Sequence, residues 1–254
     1  MKNKYFIVIL TCFCLTKTMS QQSITVDYNI AFDYNLVDST GIKTFKNNNK
    51  NATKALKQIE KVVSLFETMT MTLQANKNKA VYFGNSGVNN DADPNDYKMA
   101  KTLIGDKDRF YYDLEKQTSY KWFNFQGENF IIKDSIKISD WKITNKSKLI
   151  NNYNCYLATT NYTAYYKSGL KTHIVSAWFT PLIPFKFGPK GFGGLPGLIL
   201  QLNFKTLVFS ASNIKFKKEE IEIEALPKGK HITIKILNDY ISKARQNRDS
   251  NYKK

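Results

Sequence analysis

Two histidines, three cysteines and three arginines in 254 residues leave this chain short of the groups most often used for metal binding, nucleophilic catalysis and phosphate recognition. His173 and His231 stand in no metal-ligand or triad spacing, and H-E-x-x-H and G-x-S-x-G are absent. Acid is scarce as well: 21 Asp and Glu against 38 Lys and Arg give a formal charge of +17. Such a balance invites a nucleic-acid reading. The lysines, however, are spread along the whole chain, and the arginines are only Arg109, Arg245 and Arg248. That pattern argues against a groove-reading patch and for weak attraction to anionic surfaces.

Long hydrophobic runs are missing too. The longest, Tyr5 to Leu15, follows the basic Lys2 and Lys4 and precedes the small residues Thr18 and Ser20. It is too short for a membrane span, which needs roughly 20 apolar residues, and it fits a signal peptide of residues 1–20. The expectation is an exported protein: periplasmic, outer-membrane-associated or secreted, with no transmembrane span in the mature chain. Cys12 and Cys14 would leave with the signal, so Cys155 alone remains and no intramolecular disulfide can form. Cys155 then reads as a buried small hydrophobe, an intermolecular partner or a reactive thiol.

What is present is a hydrophobic share of 42% and strand-like alternation, enough for a packed core. Ser23 to Leu36 alternates as an opening strand. "NATKALKQIEKVVSLFETM" then places Ala55, Leu56, Ile59, Val62, Val63 and Phe66 on one face of a helix over residues 51–66. From Thr68 the period drops to two, and the "NKNK" turn makes a hairpin with "AVYF". Residues 84–96 read as a polar loop whose acids echo a calcium loop with its glycine and glutamate misplaced, so no metal site is expected. "RFYYDL", "SYKWFNF", "NFIIKD" and "SDWKIT" are further strands, with "QGEN" as a turn. Strands recurring this often indicate an antiparallel meander rather than βαβ alternation. The long "NYNCYLATTNYTAYYKSGLKTHIVSAWFT" hairpin follows, then two strands in "LILQLNFKTLVFSASNIKF", then "EIEIEAL", and a short helix in "IKILNDYISKAR". No repeat or linker divides residues 21–246, which read as one domain, and residues 247–254 are a charged tail.

A turn at Ser168 and Gly169 would set His173 opposite Ala164 and Cys155 opposite about Leu182. Cys155 and His173 would then lie roughly 30 Å apart along the strand, which argues against a dyad.

"FGPKGFGGLPGLILQL" packs five glycines and two prolines ahead of an apolar strand. A phosphate cradle places its glycines before a Lys-Ser/Thr pair at a helix start, and here a strand follows instead. "LPGL" suits a type II turn through Pro196 and Gly197, preceded by Gly194. Leu198, Leu200, Leu202 and Phe204 would then share one sheet face. Phe179, Phe185, Phe187, Phe192 and Leu195 supply apolar surface, either as a crossover packed on the core or as the rim for an apolar ligand or a protein partner.

"SAWFTPLIPFKFGPKGFGGLPGLILQL" resembles the signature of the GLPGLI family, exported proteins of Bacteroidetes-type bacteria, with the hexapeptide intact at Gly194 to Ile199. Trp141, Lys148, Ile150, Tyr153, Cys155 and Ala158 resemble the segment upstream of it. Asn152 stands where the family usually has glycine, and Gln201 where an acid is common. The resemblance implies export and assigns neither an activity nor a cofactor. The expected fold is mainly β: a single curved antiparallel sheet, an open half-barrel covered by the 51–66 helix. The expected role is a non-enzymatic envelope-associated binder of an apolar or lipid ligand or of an envelope protein. An enzyme using Cys155 or an acid pair is the alternative, as is a structural component of a surface assembly.

Overall fold

A computed structural model describes residues 22–34, 52–85, 87, 91–135, 140–166 and 169–241. The signal segment 1–20 and the tail 247–254 lie outside the described residues.

Alternating apolar residues become strands in the expected places, and the short Lys230–Ile232 strand is an addition that the pattern did not announce. In chain order these are β1 (Ser23–Phe32), β2 (Thr70–Asn76), β3 (Lys79–Gly84), β4 (Arg109–Asp113), β5 (Thr118–Phe125) and β6 (Glu128–Ser135). Next come β7 (Lys142–Ile150), β8 (Tyr153–Tyr166), β9 (Gly169–Thr180), β10 (Leu198–Phe204), β11 (Leu207–Lys217) and β12 (Lys230–Ile232). All twelve form one open sheet in the order β12-β6-β5-β4-β3-β2-β1-β11-β10-β9-β8-β7. Every pairing is antiparallel except β12 on β6, which is parallel.

The helix α1 (Ala52–Ser64) and the 3-10 turn Leu65–Thr68 after it turn Val62, Val63 and Phe66 into the core. Ile59, assigned to the same face from its spacing, is instead exposed. A second helix, α2 (Pro94–Ile104), begins inside the stretch read as a loop. Asp93 caps it by accepting from the Asn95 and Asp96 N–H groups, Pro94 opens it, and left-handed Gly105 closes it. Residues 234–241 form a third helix. Among the described residues no helix is long and apolar enough to cross a membrane.

Both α1 and α2 lie on the face of the sheet that carries Ile24, Val26, Tyr28, Met71, Leu73 and Tyr82, the main core. Across that core the Tyr28 hydroxyl donates to the Ile199 carbonyl at 2.8 Å. Smaller packing of Phe123 and Phe130 against Ile232 and Leu237 covers the β5–β6 end.

"EIEIEAL", grouped with the strands from its alternation, joins no ladder. It crosses the opposite face of the sheet as a strap. The Ser23 hydroxyl accepts the Ile221 N–H, Asn76 donates to the Ile221 carbonyl, and Glu224 takes both Arg109 and the Tyr111 hydroxyl. Beyond it, Trp122 donates to the Lys228 carbonyl.

The β8–β9 ladder closes at Tyr166↔Gly169 and sets His173 opposite Tyr162, two residues from the expected Ala164. Gly169 sits inside the ladder rather than in the turn, and that moves the register. Cys155 consequently lies level with Thr180 rather than Leu182, and faces Lys148 on β7. In β10 a register shift at Leu200 breaks the expected single face: Ile199 pairs with Phe179 and Gln201 with Trp178. Leu202 and Phe204 therefore share a face with Ile199, not with Leu198.

Candidate functional site

The Gly/Pro segment between β9 and β10 turns back into the core-bearing side of the sheet. Tyr112 of β4 holds it there. The buried hydroxyl donates to the Gly188 carbonyl and accepts the Gly191 N–H at 2.8 Å, and the ring packs edge-on to Phe187 at 5.6 Å. Burial pushes that phenol well above its usual pKa.

Gly194 donates to the Lys186 carbonyl at 2.8 Å with φ +81. The "LPGL" turn is tighter than type II: the Gly197 N–H reaches Leu195 O at 2.7 Å around Pro196, while Leu198 N–H bonds Ile183 O at 3.0 Å. The i+3 donor is thus engaged elsewhere, which leaves an i→i+2 turn. Gly197 has φ +152, and a Cβ built on it would stand 2.0 Å from the Thr180 carbonyl oxygen. Backbone contact requires glycine at this position.

Of the residues singled out in this region, Phe179, Phe185, Phe187 and Leu195 are buried in the core. Phe192 is partly buried and lines a cleft of about 440 Å³. One wall of this cleft is aromatic. Phe192 meets Phe204 at 5.4 Å, Trp141 at 6.1 Å and Tyr162 at 6.2 Å, and Tyr162 meets Phe204 at 4.9 Å. Trp141 Nε1 is anchored by donating to Gly193 O at 3.0 Å. Lys205, in the β10–β11 turn, lies 5.8 Å over Tyr162 and 5.4 Å over Phe204.

The opposite wall is Lys121 of β5 with Phe110 and Asp108; Lys121 Nζ stands 2.7 Å from Asp108 Oδ2. The floor is Lys190, whose Nζ donates to the Ile104 carbonyl at the C-terminus of α2 at 2.6 Å. Burial lowers the Lys190 pKa to about 8; Asp108 and Asp106 oppose that, while the charges of Lys121 and Lys205 add to it.

This cleft also reports the curvature of the sheet. β5 and β8 stand eight places apart in the strand order, yet residues from both line it. In a flat sheet they would be roughly 38 Å apart at about 4.8 Å per strand. The sheet therefore curls around the Gly/Pro segment without closing, since β12 and β7 do not pair with each other.

A second, larger depression of about 580 Å³ lies along α2 beside Tyr97, Lys98 and Lys101. Tyr97 is the one aromatic side chain among its described lining residues, so it lacks the cluster of rings that walls the first cleft.

Cys155 is fully buried and its S–H donates to Tyr153 O at 3.5 Å. Burial pushes the thiol up to about 11 despite Lys148 opposite it. Lys148 sits 4.4 Å over the Trp178 ring and donates to Gln201 Oε1 at 2.8 Å. His173 faces Tyr162, seven residues along β8 from Cys155 and so roughly 23 Å away at about 3.3 Å per residue. His231 lies on β12 opposite Ile131. The structure brings no histidine to Cys155. Asp93, in the stretch with the calcium-loop echo, is the cap of α2, and no group of three or more metal-ligating side chains occurs among the described residues.

Sequence reasoning passed over Lys121, Lys190, Lys205, Trp141, Tyr162 and Phe204 as parts of one site. One signal was available: in "SYKWFNF" Lys121 shares the inward parity of Ser119 and Phe123, a charge on a core-facing position.

Residues 165–201, which include the Gly194–Ile199 hexapeptide, match the model of a family described as "Protein of unknown function (Porph_ging)". This is consistent with a Bacteroidetes-type family, although the match does not carry the GLPGLI name. No curated protein matches the chain. Among solved structures it is similar to PNGF-II in space group P21, with a TM-score of 0.50, 16% identity, and coverage of 88% of this chain and 34% of that one. PNGF-II in space group C2 gives a TM-score of 0.49 at 15% identity, covering 88% of this chain and 33% of that one. The chain thus spans about a third of the PNGF-II length, and the likeness is one of fold.

Proposed function

We propose that the protein is an exported, non-enzymatic binding protein whose ligand site is the cleft between the Gly/Pro segment and the β8 strand. The observation that carries this is the aromatic wall. Trp141, Tyr162, Phe192 and Phe204 meet one another beside an open volume of about 440 Å³, a size suited to a small organic ligand. Partly buried rings bordering open space are what an apolar ligand can still desolvate, at about 25 cal/mol per Å² of apolar surface. The rings are also pre-positioned. Trp141 is tied to Gly193, and the segment carrying Phe192 is tied to Tyr112, so little ordering is left for the ligand to impose.

Export is supported by the sequence pattern of residues 1–20. Binding without catalysis is supported by Cys155, which lies fully buried with its thiol in the protonated form at neutral pH.

The experiment is native mass spectrometry of the exported protein, followed by titration with an apolar fluorescent probe such as Nile red. A mature chain starting at Gln21 that binds the probe, and loses about ten-fold in affinity in Phe192→Ala, is the expected result. Absence of probe binding, or binding unchanged in the variant, would remove the cleft as the site.

A further inference from the structure

Lys190, on the floor of the cleft, spends its amine on a backbone carbonyl, Ile104 O at 2.6 Å. Among the described residues no carboxylate stands within ion-pair distance of it. Asp108 and Asp106 act on it from farther off, and each is already held by another lysine, Asp108 by Lys121 at 2.7 Å and Asp106 by Lys101 at 3.5 Å. Lys121 and Lys205 add their own positive charge to its surroundings. Its other neighbours are rings: Nζ lies 5.5 Å from the centre of Phe110 and 5.8 Å from that of Phe209. Tyr112, which ties down the same segment, is kept protonated by burial.

Such surroundings favour the neutral amine over the ammonium, and burial accordingly lowers the Lys190 pKa to about 8. Only the neutral amine carries a lone pair and is a nucleophile. With one N–H committed to Ile104 O, that lone pair is turned away from the helix end. Resting on the reading of the cleft as a ligand site, we propose that Lys190 holds an apolar carbonyl compound, an aldehyde or ketone, covalently and reversibly as an imine. The apolar part of the ligand lies against Phe192, Phe204 and Trp141.

The amine lone pair forms the C–N bond while the carbonyl π electrons move to oxygen, and one nitrogen proton passes to that oxygen. A proton lent by the Lys121 ammonium, on the opposite wall, lets the oxygen leave as water. The nitrogen pair then closes the C=N bond, and the remaining nitrogen proton returns to Lys121. One water is released and nothing is oxidised or reduced.

The test is incubation of the mature chain with octanal and a hydride reductant, which fixes an imine as a secondary amine, followed by peptide mapping by mass. At about pH 7.5 an amine titrating at about 8 is about a quarter neutral, and an ordinary lysine about a thousandth. Lys190 should therefore be alkylated about ten-fold or more faster than the other lysines, and the preference should shrink several-fold at about pH 10. Excess Nile red should slow alkylation at Lys190 and spare the rest. The mapping is done on the wild-type chain, so no variant has to fold. Even alkylation of all lysines in the native chain would overturn the imine, and Nile red binding in the same sample would leave the apolar site standing. Preferential alkylation of Lys190 in a chain that binds Nile red, unslowed by the dye, would overturn the cleft as the place where the carbonyl compound binds.

Discussion

The ammonium of Lys190 closes the last turn of α2: Nζ lies 2.6 Å from the Ile104 carbonyl oxygen, at the helix end where the dipole is negative. The residue itself has φ +60, so the Gly/Pro segment is bent to deliver this side chain. Burial nevertheless lowers its pKa from the usual 10.5 to about 8. The folded state therefore releases a proton that the unfolded chain still holds between these two values. Stability from this group should rise with pH between about 8 and 10.5, and be flat below 8. Urea unfolding of wild type and Lys190→Met across pH 7 to 10.5 isolates the effect from other titrating groups. The difference between them should shift towards the wild type as pH rises; a constant difference would mean that Lys190 titrates normally.

Gly197 should tolerate no side chain. Its hypothetical Cβ would stand 2.0 Å from Thr180 O and 2.9 Å from the Pro181 Cα, and both obstacles are backbone. Gly197→Ala and Gly197→Val should each cost more than about 3 kcal/mol, read as loss of soluble protein or a large drop in melting temperature. Gly87 is the control, since nothing lies within 4 Å of a Cβ there and its φ is ordinary. A Gly197→Ala protein that melts like Gly87→Ala would refute the close approach.

The strands were readable because period-two alternation survives in the half-buried sheet: Phe110 and Tyr112 face in while Arg109 and Tyr111 face out. α2 was harder to see. Its start and stop signals, Asp93-Pro94 and Gly105, are in the sequence, but only Ala100 and Ile104 are buried, too few for a clear helical period. "EIEIEAL" alternates like a strand, yet where it crosses β1 both edges of that strand are already taken by β2 and β11. Local pattern carries no information about edge occupancy, so the segment became a strap. The cleft was the least legible part. Lys121 and Tyr162 are brought to one site by the curl of the sheet across many strands, and no spacing in the sequence encodes that.

Cys155 should be slow to label. It is fully buried, and burial holds its thiol up at about 11, so little thiolate exists at neutral pH. A bulky maleimide at pH 7.5 should react about 100-fold or more slowly with native protein than with urea-unfolded protein, followed by intact mass. Cys155→Ser should retain Nile red binding. Fast native labelling, or loss of binding in a folded Cys155→Ser protein, would return the thiol to the list of functional groups.

Tyr112→Phe separates the scaffold of the site from its lining. Tyr112 does not line the cleft, but its hydroxyl satisfies two backbone groups of the segment that does, the Gly188 carbonyl and the Gly191 N–H. Removing the oxygen keeps the ring against Phe187 and leaves both groups without that partner, at a cost of about 1–3 kcal/mol for each that stays buried. The variant should therefore fold with a lowered melting temperature. It should also bind the cleft ligand more weakly, because Phe192 lies next to the released Gly191 and the ligand would then have to order the loop as it binds. The two readouts together decide the point. Lower stability with unchanged affinity would show that Trp141 and its bond to Gly193 hold the aromatic wall without help from Tyr112.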